Sequence, residues 1–127
     1  MVEKNLNAAR RHYESAAADG HIESMNALGS LFFNENEFRD YEQAAAWFKK
    51  AADRGYNRGI CNLGICYELG VGVEKDWNQA FVLYQESADK GFIQAIYNHG
   101  FLSFRSAMQN THSANRRNNP QFAKAAD

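Results

Sequence analysis

The chain nearly repeats itself after thirty-six residues, and that period restricts its fold more than any other feature. Sliding the 127-residue sequence by 36 lays Asp40 on Asp76, Gln43 on Gln79, Ala44 on Ala80, Ala52-Asp53 on Ala88-Asp89 and Gly55 on Gly91. The same shift brings Ile60 onto Ile96, Asn62 onto Asn98 and Gly64 onto Gly100. A shift of 35 recovers an earlier copy, with Tyr13 on Phe48, Ala16-Ala17 on Ala51-Ala52, Gly20 on Gly55 and Leu28-Gly29 on Leu63-Gly64. Three copies therefore span about 5–39, 40–75 and 76–111. A period of this size signals a stacked repeat array rather than one irregular core.

Within each copy the pattern predicts two helices. Asp40 and Asp76 are natural N-caps, with Gln43 and Gln79 three residues on in a capping-box-like spacing. Ala44, Phe48 and Ala51 recur at i, i+4 and i+7, the buried stripe of an amphipathic helix. Gly20, Gly55 and Gly91 then stop the first helix, since glycine takes the left-handed C′ conformation at least cost. In the second helix Gly29, Gly64 and Gly100 stand in register. A mid-helix glycine costs about 1 kcal/mol against alanine, so three in register imply a contact too close for a Cβ.

These residues resemble the Sel1-like repeat, a relative of the tetratricopeptide repeat. The stretch "AAAWFKKAADRGYNRGICNLGICYELGVGVEKD" follows that family's alternation of alanine, aromatic and glycine positions almost throughout, with Gly59 in a slot for a small residue. The resemblance covers about residues 5–106. It implies an all-α fold, a right-handed α-solenoid of three helix-turn-helix repeats, in which the first helices line a concave groove used to bind proteins or peptides.

Other features narrow the function. Fourteen Lys+Arg stand against fifteen Asp+Glu, which gives no electrostatic reason to expect nucleic acid or an anionic membrane as partner. No apolar run is long enough to cross a bilayer, and the start lacks the apolar core of a signal peptide. Cys61 and Cys66 would sit about 140° apart on a helix and could not bridge each other. Reduced, buried thiols fit a cytoplasmic chain. They also lack the paired arrangement of the secreted, cysteine-rich relatives that bind cell-wall-type molecules.

No catalytic constellation emerges, and no cofactor or metal site is expected. His12, His21, His99 and His112 never pair at i, i+3 or i+4, and none has zinc-ligand spacing to the cysteines. "GVGV" at 70–73 lacks the Lys and Ser/Thr of a phosphate loop and follows a helix, so it reads as a turn anchored by Val73, with Phe38 in its place in the first copy. A non-enzymatic interaction module is the reading that remains; the alternatives are a piece of a larger repeat protein or a ligand-binding, hydrolase-like relative.

The helical wheel assigns a partner-binding face opposite the core stripe. It holds Asn7, Arg11, Glu14 and Ser15 in the first copy, Glu42, Ala46, Lys49 and Lys50 in the second, and Asn78, Val82, Gln85 and Glu86 in the third. That face is mixed in charge, with an Arg11–Ala46–Val82 row open to close approach, and suits an extended peptide or partner helix. A second contact face is expected where Tyr97, Phe101 and Phe104 extend an apolar line from Ile93, on which a fourth repeat, the C-terminal segment or a second subunit would pack. Polar residues at core slots (His12, His99 and Ser103) fall in the first and last copies, as the ends of a short array require. Beyond Arg105 the signature fails, and "SAMQNTHSANRRNNP" reads as a loop or linker. Residues 112–127 are expected to hold that linker and, from Pro120, a short capping helix or a cut-off fourth repeat.

Overall fold

The computed structural model describes residues 2–118, with side chains described for 5–111. Among them are six helices: α1 (Val2–Ala18), α2 (Ile22–Asn34), α3 (Tyr41–Asp53), α4 (Asn57–Leu69), α5 (Trp77–Asp89) and α6 (Ile93–Asn118). They pack in chain order, each chiefly against the helix before and after it, as three consecutive pairs of an all-α solenoid.

Local chemistry sets the helix ends much as the sequence predicts. The Asp40 and Asp76 carboxylates accept from the backbone N–H of Gln43 and Gln79, both at 3.1 Å. The reciprocal half of a capping box does not form. Gln43 instead donates its side-chain amide to Asp40 Oδ2 at 3.0 Å. The backbone N–H groups of Asp40 and Asp76 donate to Phe32 O and Tyr67 O in the preceding second helix, both at 2.9 Å, so no donor is left for the glutamine. These two bonds pin each new repeat to the last. Gly72 packs so tightly on α3 that a Cβ would sit within 3.0 Å of both the Tyr41 backbone and the Ala45 methyl, and its φ is +73°. The "GVGV" segment is thus the turn between repeats, with Val71 and Val73 resting on the core as Phe38 does.

The core is one cluster running from Ala17, Met25 and Leu28 through Phe48 and Ile60 to Leu83, and a smaller one around Tyr84, Ala95 and Leu102. The last pair is packed less completely. His99 occupies the place that buried Leu28 and Leu63 hold earlier, and its ring lies 4.3 Å from Phe81. Its buried Nε2 has no hydrogen-bond partner among the described residues.

One expectation is corrected. The segment after Arg105 is helix, not loop or linker, and α6 continues through Asn118. Gly70, in the left-handed region at φ +70°, stops α4, but no glycine or proline follows Gly100 until Pro120. Nothing therefore terminates the hydrogen-bond ladder. The polarity of residues 106–111 marks a helix exposed on all sides, not a turn. The expected helix start at Pro120 lies outside the described residues.

Candidate functional site

The polar face is built from the three first helices: Ala44–Phe48–Ala51 of α3 and Ala80–Tyr84–Ser87 of α5 are buried, the half-buried Ala9–Tyr13–Ala16 of α1 holds the same register, and this stripe fixes what faces out. Asn7, Arg11, Ser15, Glu42, Ala46, Lys49, Lys50, Asn78, Val82, Gln85 and Glu86 are all exposed, and Glu14 is half-buried. Glu14 is held by Arg10, whose Nε donates to it at 2.8 Å while the guanidinium lies over the rings of Phe32 and Phe38. Lys49 reaches Asp53 at 3.3 Å, and Gln85 donates to Asp89 at 2.7 Å. Lys50 lies over the Trp47 ring, 4.3 Å from its centroid. Exposed pairs of this kind contribute little stability, so Lys49 and Gln85 can exchange these partners at small cost.

Two features of the second helices escape the periodicity argument. Asn62 donates to Asn26 Oδ1 at 3.0 Å, and Asn98 to Cys61 Sγ at 3.7 Å, a polar link repeated from one second helix to the next. The shared register of Asn62 and Asn98 was its sequence signal. A cleft of about 150 Å³ opens between α2 and α4, lined by Ser30, Phe33, Asn34, Phe48, Asn62 and Ile65. It is large enough for one side chain and smaller than the pockets that take drug-sized ligands.

The second predicted face is where the sequence places it, on α6. Tyr97, Phe101 and Phe104 are exposed, with the Tyr97 and Phe101 rings stacked 6.4 Å apart. Arg105 leaves this line to cover Trp77 at 4.5 Å.

The site offers little to chemistry. Cys61 and Cys66 are buried free thiols, and burial pushes both up to about 11, far from a reactive thiolate. The polar neighbour of Cys61 is the Asn98 amide, which is not a base. Among the described residues no group of three His, Cys, Asp or Glu could hold a metal, and no helix is long and apolar enough to cross a membrane.

A model of the Sel1 repeat matches residues 1–21, 22–56 and 58–92, well over half of the chain. The chain belongs to the Sel1 repeat family. The first match covers α1, and the other two begin on the second helices α2 and α4, half a repeat out of step with 40–75 and 76–111, as a continuous solenoid permits. Among solved structures, c5321, a protective antigen of uropathogenic Escherichia coli with an SLR fold, superposes with a TM-score of 0.72 at 34% identity. That match covers 76% of this chain and 21% of c5321. A Sel1 repeat protein from Oxalobacter formigenes gives 0.66 at 28% identity, over 71% of this chain and 26% of its own. Cysteine-rich protein B of Helicobacter pylori, at 23% identity and TM-score 0.63, shares the fold over 68% of this chain and 66% of its own. One stretch of 37 residues is 49% identical to DAP3-binding cell death enhancer 1 of rat and of mouse, 29% of this chain but 7% of those proteins. The Sel1 chain thus spans about a quarter or less of most of these relatives.

Proposed function

We propose that this Sel1 repeat chain is a non-enzymatic protein-interaction module that holds an extended peptide or partner helix on the concave side lined by α1, α3 and α5. The observation that carries the reading is the division of labour within each first helix. One stripe is nearly invariant between copies and buried in α3 and α5, while the outward positions change from Arg11–Glu14–Ser15 to Ala46–Lys49–Lys50 to Val82–Gln85–Glu86. A face free of packing duty that differs at every step is where binding specificity can be written. Side-chain chemistry lends catalysis no support, since the buried thiols lack a base, and Asp40 and Asp53 serve as a cap and a helix pair. The buried free thiols also favour a reducing, cytoplasmic setting.

The name of the rat and mouse relatives records a protein partner, which supports the class of function and says nothing about this chain's partner. The test is capture of binding proteins from the native host with wild type and with the triple variant Lys49→Ala, Lys50→Ala, Gln85→Ala. The variant should keep its helical signal and lose most of the capture. Undiminished capture would move the binding surface off the first helices.

A further inference from the structure

Two joints of this solenoid show how one repeat receives the next, and a third joint stands open. A Cβ on Gly29 would lie 2.6 Å from the Phe48 ring, and one on Gly64 2.6 Å from the Tyr84 ring. Each glycine is a notch that admits the aromatic side chain of the following first helix. Gly100 occupies the same register, and among the described residues nothing lies within 4 Å of a Cβ built there. The surroundings match an unfilled joint. Ile96 is 52% exposed, whereas its counterparts Ile60 and Met25 are 0% and 6% exposed. Tyr97 at 68%, Phe101 at 48% and Phe104 at 62% complete the bare face.

The other end of the molecule carries the complementary half. Ala9, Tyr13 and Ala16 hold the places of Ala44, Phe48 and Ala51, which are buried in α3. In α1 all three are only half-buried, because among the described residues α1 packs chiefly on α2 while α3 is covered by both α2 and α4. At one receiving position α6 matches α2 where α4, with Glu68, does not. Phe104 stands where Phe33 does, and Phe33 lies 6.2 Å from Phe48 and meets Tyr41 edge-on at 5.4 Å.

We propose that copies of this chain stack head to tail, α1 of one copy lying on α6 of the next, with Tyr13 seated over Gly100 and against Phe104. Leu6, in the place of Tyr41, then meets the far side of Phe104. The exposed apolar side chains of α6 offer roughly 700 Å², near the ~800 Å² per partner of a stable interface. The contact residues themselves carry no charge, and the nearest on α6 is the Arg105 guanidinium, 5.9 Å over the Phe101 ring. Head-to-tail contact fills one notch at each junction with the residue type that fills it in the two closed joints, an aromatic from a first helix. Such contact does not close on itself and builds a longer solenoid, extending the polar face of the first helices from copy to copy.

The experiment is sedimentation velocity on the full chain across a wide concentration range, with two interface variants. Wild type should grow in mass with concentration, beyond dimer. Gly100→Leu fills the notch in open space and Tyr13→Ala removes the aromatic knob, and each variant alone should lose all mass above monomer while keeping its helical signal. If Tyr13→Ala lowers that signal, Ala9→Glu on the same face takes its place. Mixed together, the two variants should form a heterodimer and stop there, because one intact α6 meets one intact α1. Wild type that stays monomeric throughout, which would leave the face to another protein's helix, overturns the proposal. So does a dimer that Gly100→Leu breaks and Tyr13→Ala leaves intact, which would mean symmetric pairing.

Discussion

Alanine placed at Gly64 and at Gly100 makes the same chemical change at equivalent positions of neighbouring repeats, and the outcomes should have opposite signs. By helix propensity alone each substitution stabilises by about 1 kcal/mol. At Gly64 the new methyl would meet Tyr84 Cε1 at 2.6 Å and Cδ1 at 2.8 Å. The Tyr84 ring is fully buried and its hydroxyl donates to Glu68 Oε1 at 2.8 Å, so it cannot swing aside without losing that bond. Overpacking of this kind costs about 3 kcal/mol, leaving a net loss of about 2 kcal/mol. For a domain of this size that lowers Tm by about 8 °C. At Gly100 the methyl meets nothing, the propensity gain survives, and Tm rises by about 4 °C. Thermal unfolding followed by circular dichroism, at dilutions where the chain is monomeric, measures both. If Gly64→Ala were as stable as Gly100→Ala, the close approach of α5 to α4 would not be what the glycine is for.

Further outcomes follow from the caps and the thiols. Asp76→Ala removes the acceptor for the Gln79 N–H and should cost about 1 kcal/mol in urea unfolding. The Asp40 carboxyl is held below its ordinary range, first by the Gln43 side-chain amide and then by the Gln43 backbone N–H. A depressed carboxylate stabilises the fold above its unfolded pKa, and that contribution fades as pH falls through the lower folded value. The gap in urea midpoint between wild type and Asp40→Ala should accordingly narrow below about pH 4. Cys61 and Cys66, buried and raised to about 11, should resist a thiol reagent at neutral pH and react together once denaturant is added.

How much of this was legible in the sequence depends on whether the cause was local. Asp40, Asp76 and Gly55 act on their own helix ends, and the three glycines of the second helices announce a close approach by their cost alone. The exposure of eleven of the twelve polar-face residues was also readable, since an apolar stripe at helical spacing dictates what points away from it; Glu14, held by Arg10, is half-buried. The stretch after Arg105 misled for the opposite reason: polar composition resembles a loop, whereas helix termination needs a stop signal, and none precedes Pro120.

The sequence by itself determined the period, the helix pairs and the register of every notch, because these follow from backbone conformation and spacing along one chain. Only the tertiary structure decided which notches are filled. Gly29, Gly64 and Gly100 read alike on paper, and the difference between them is whether an aromatic ring from another helix lies within van der Waals reach. The notch contacts join residues nineteen or twenty positions apart, Gly29 with Phe48 and Gly64 with Tyr84, and packing, not local propensity, fixes them. The partner of Gly100 is therefore a question for the assembled protein.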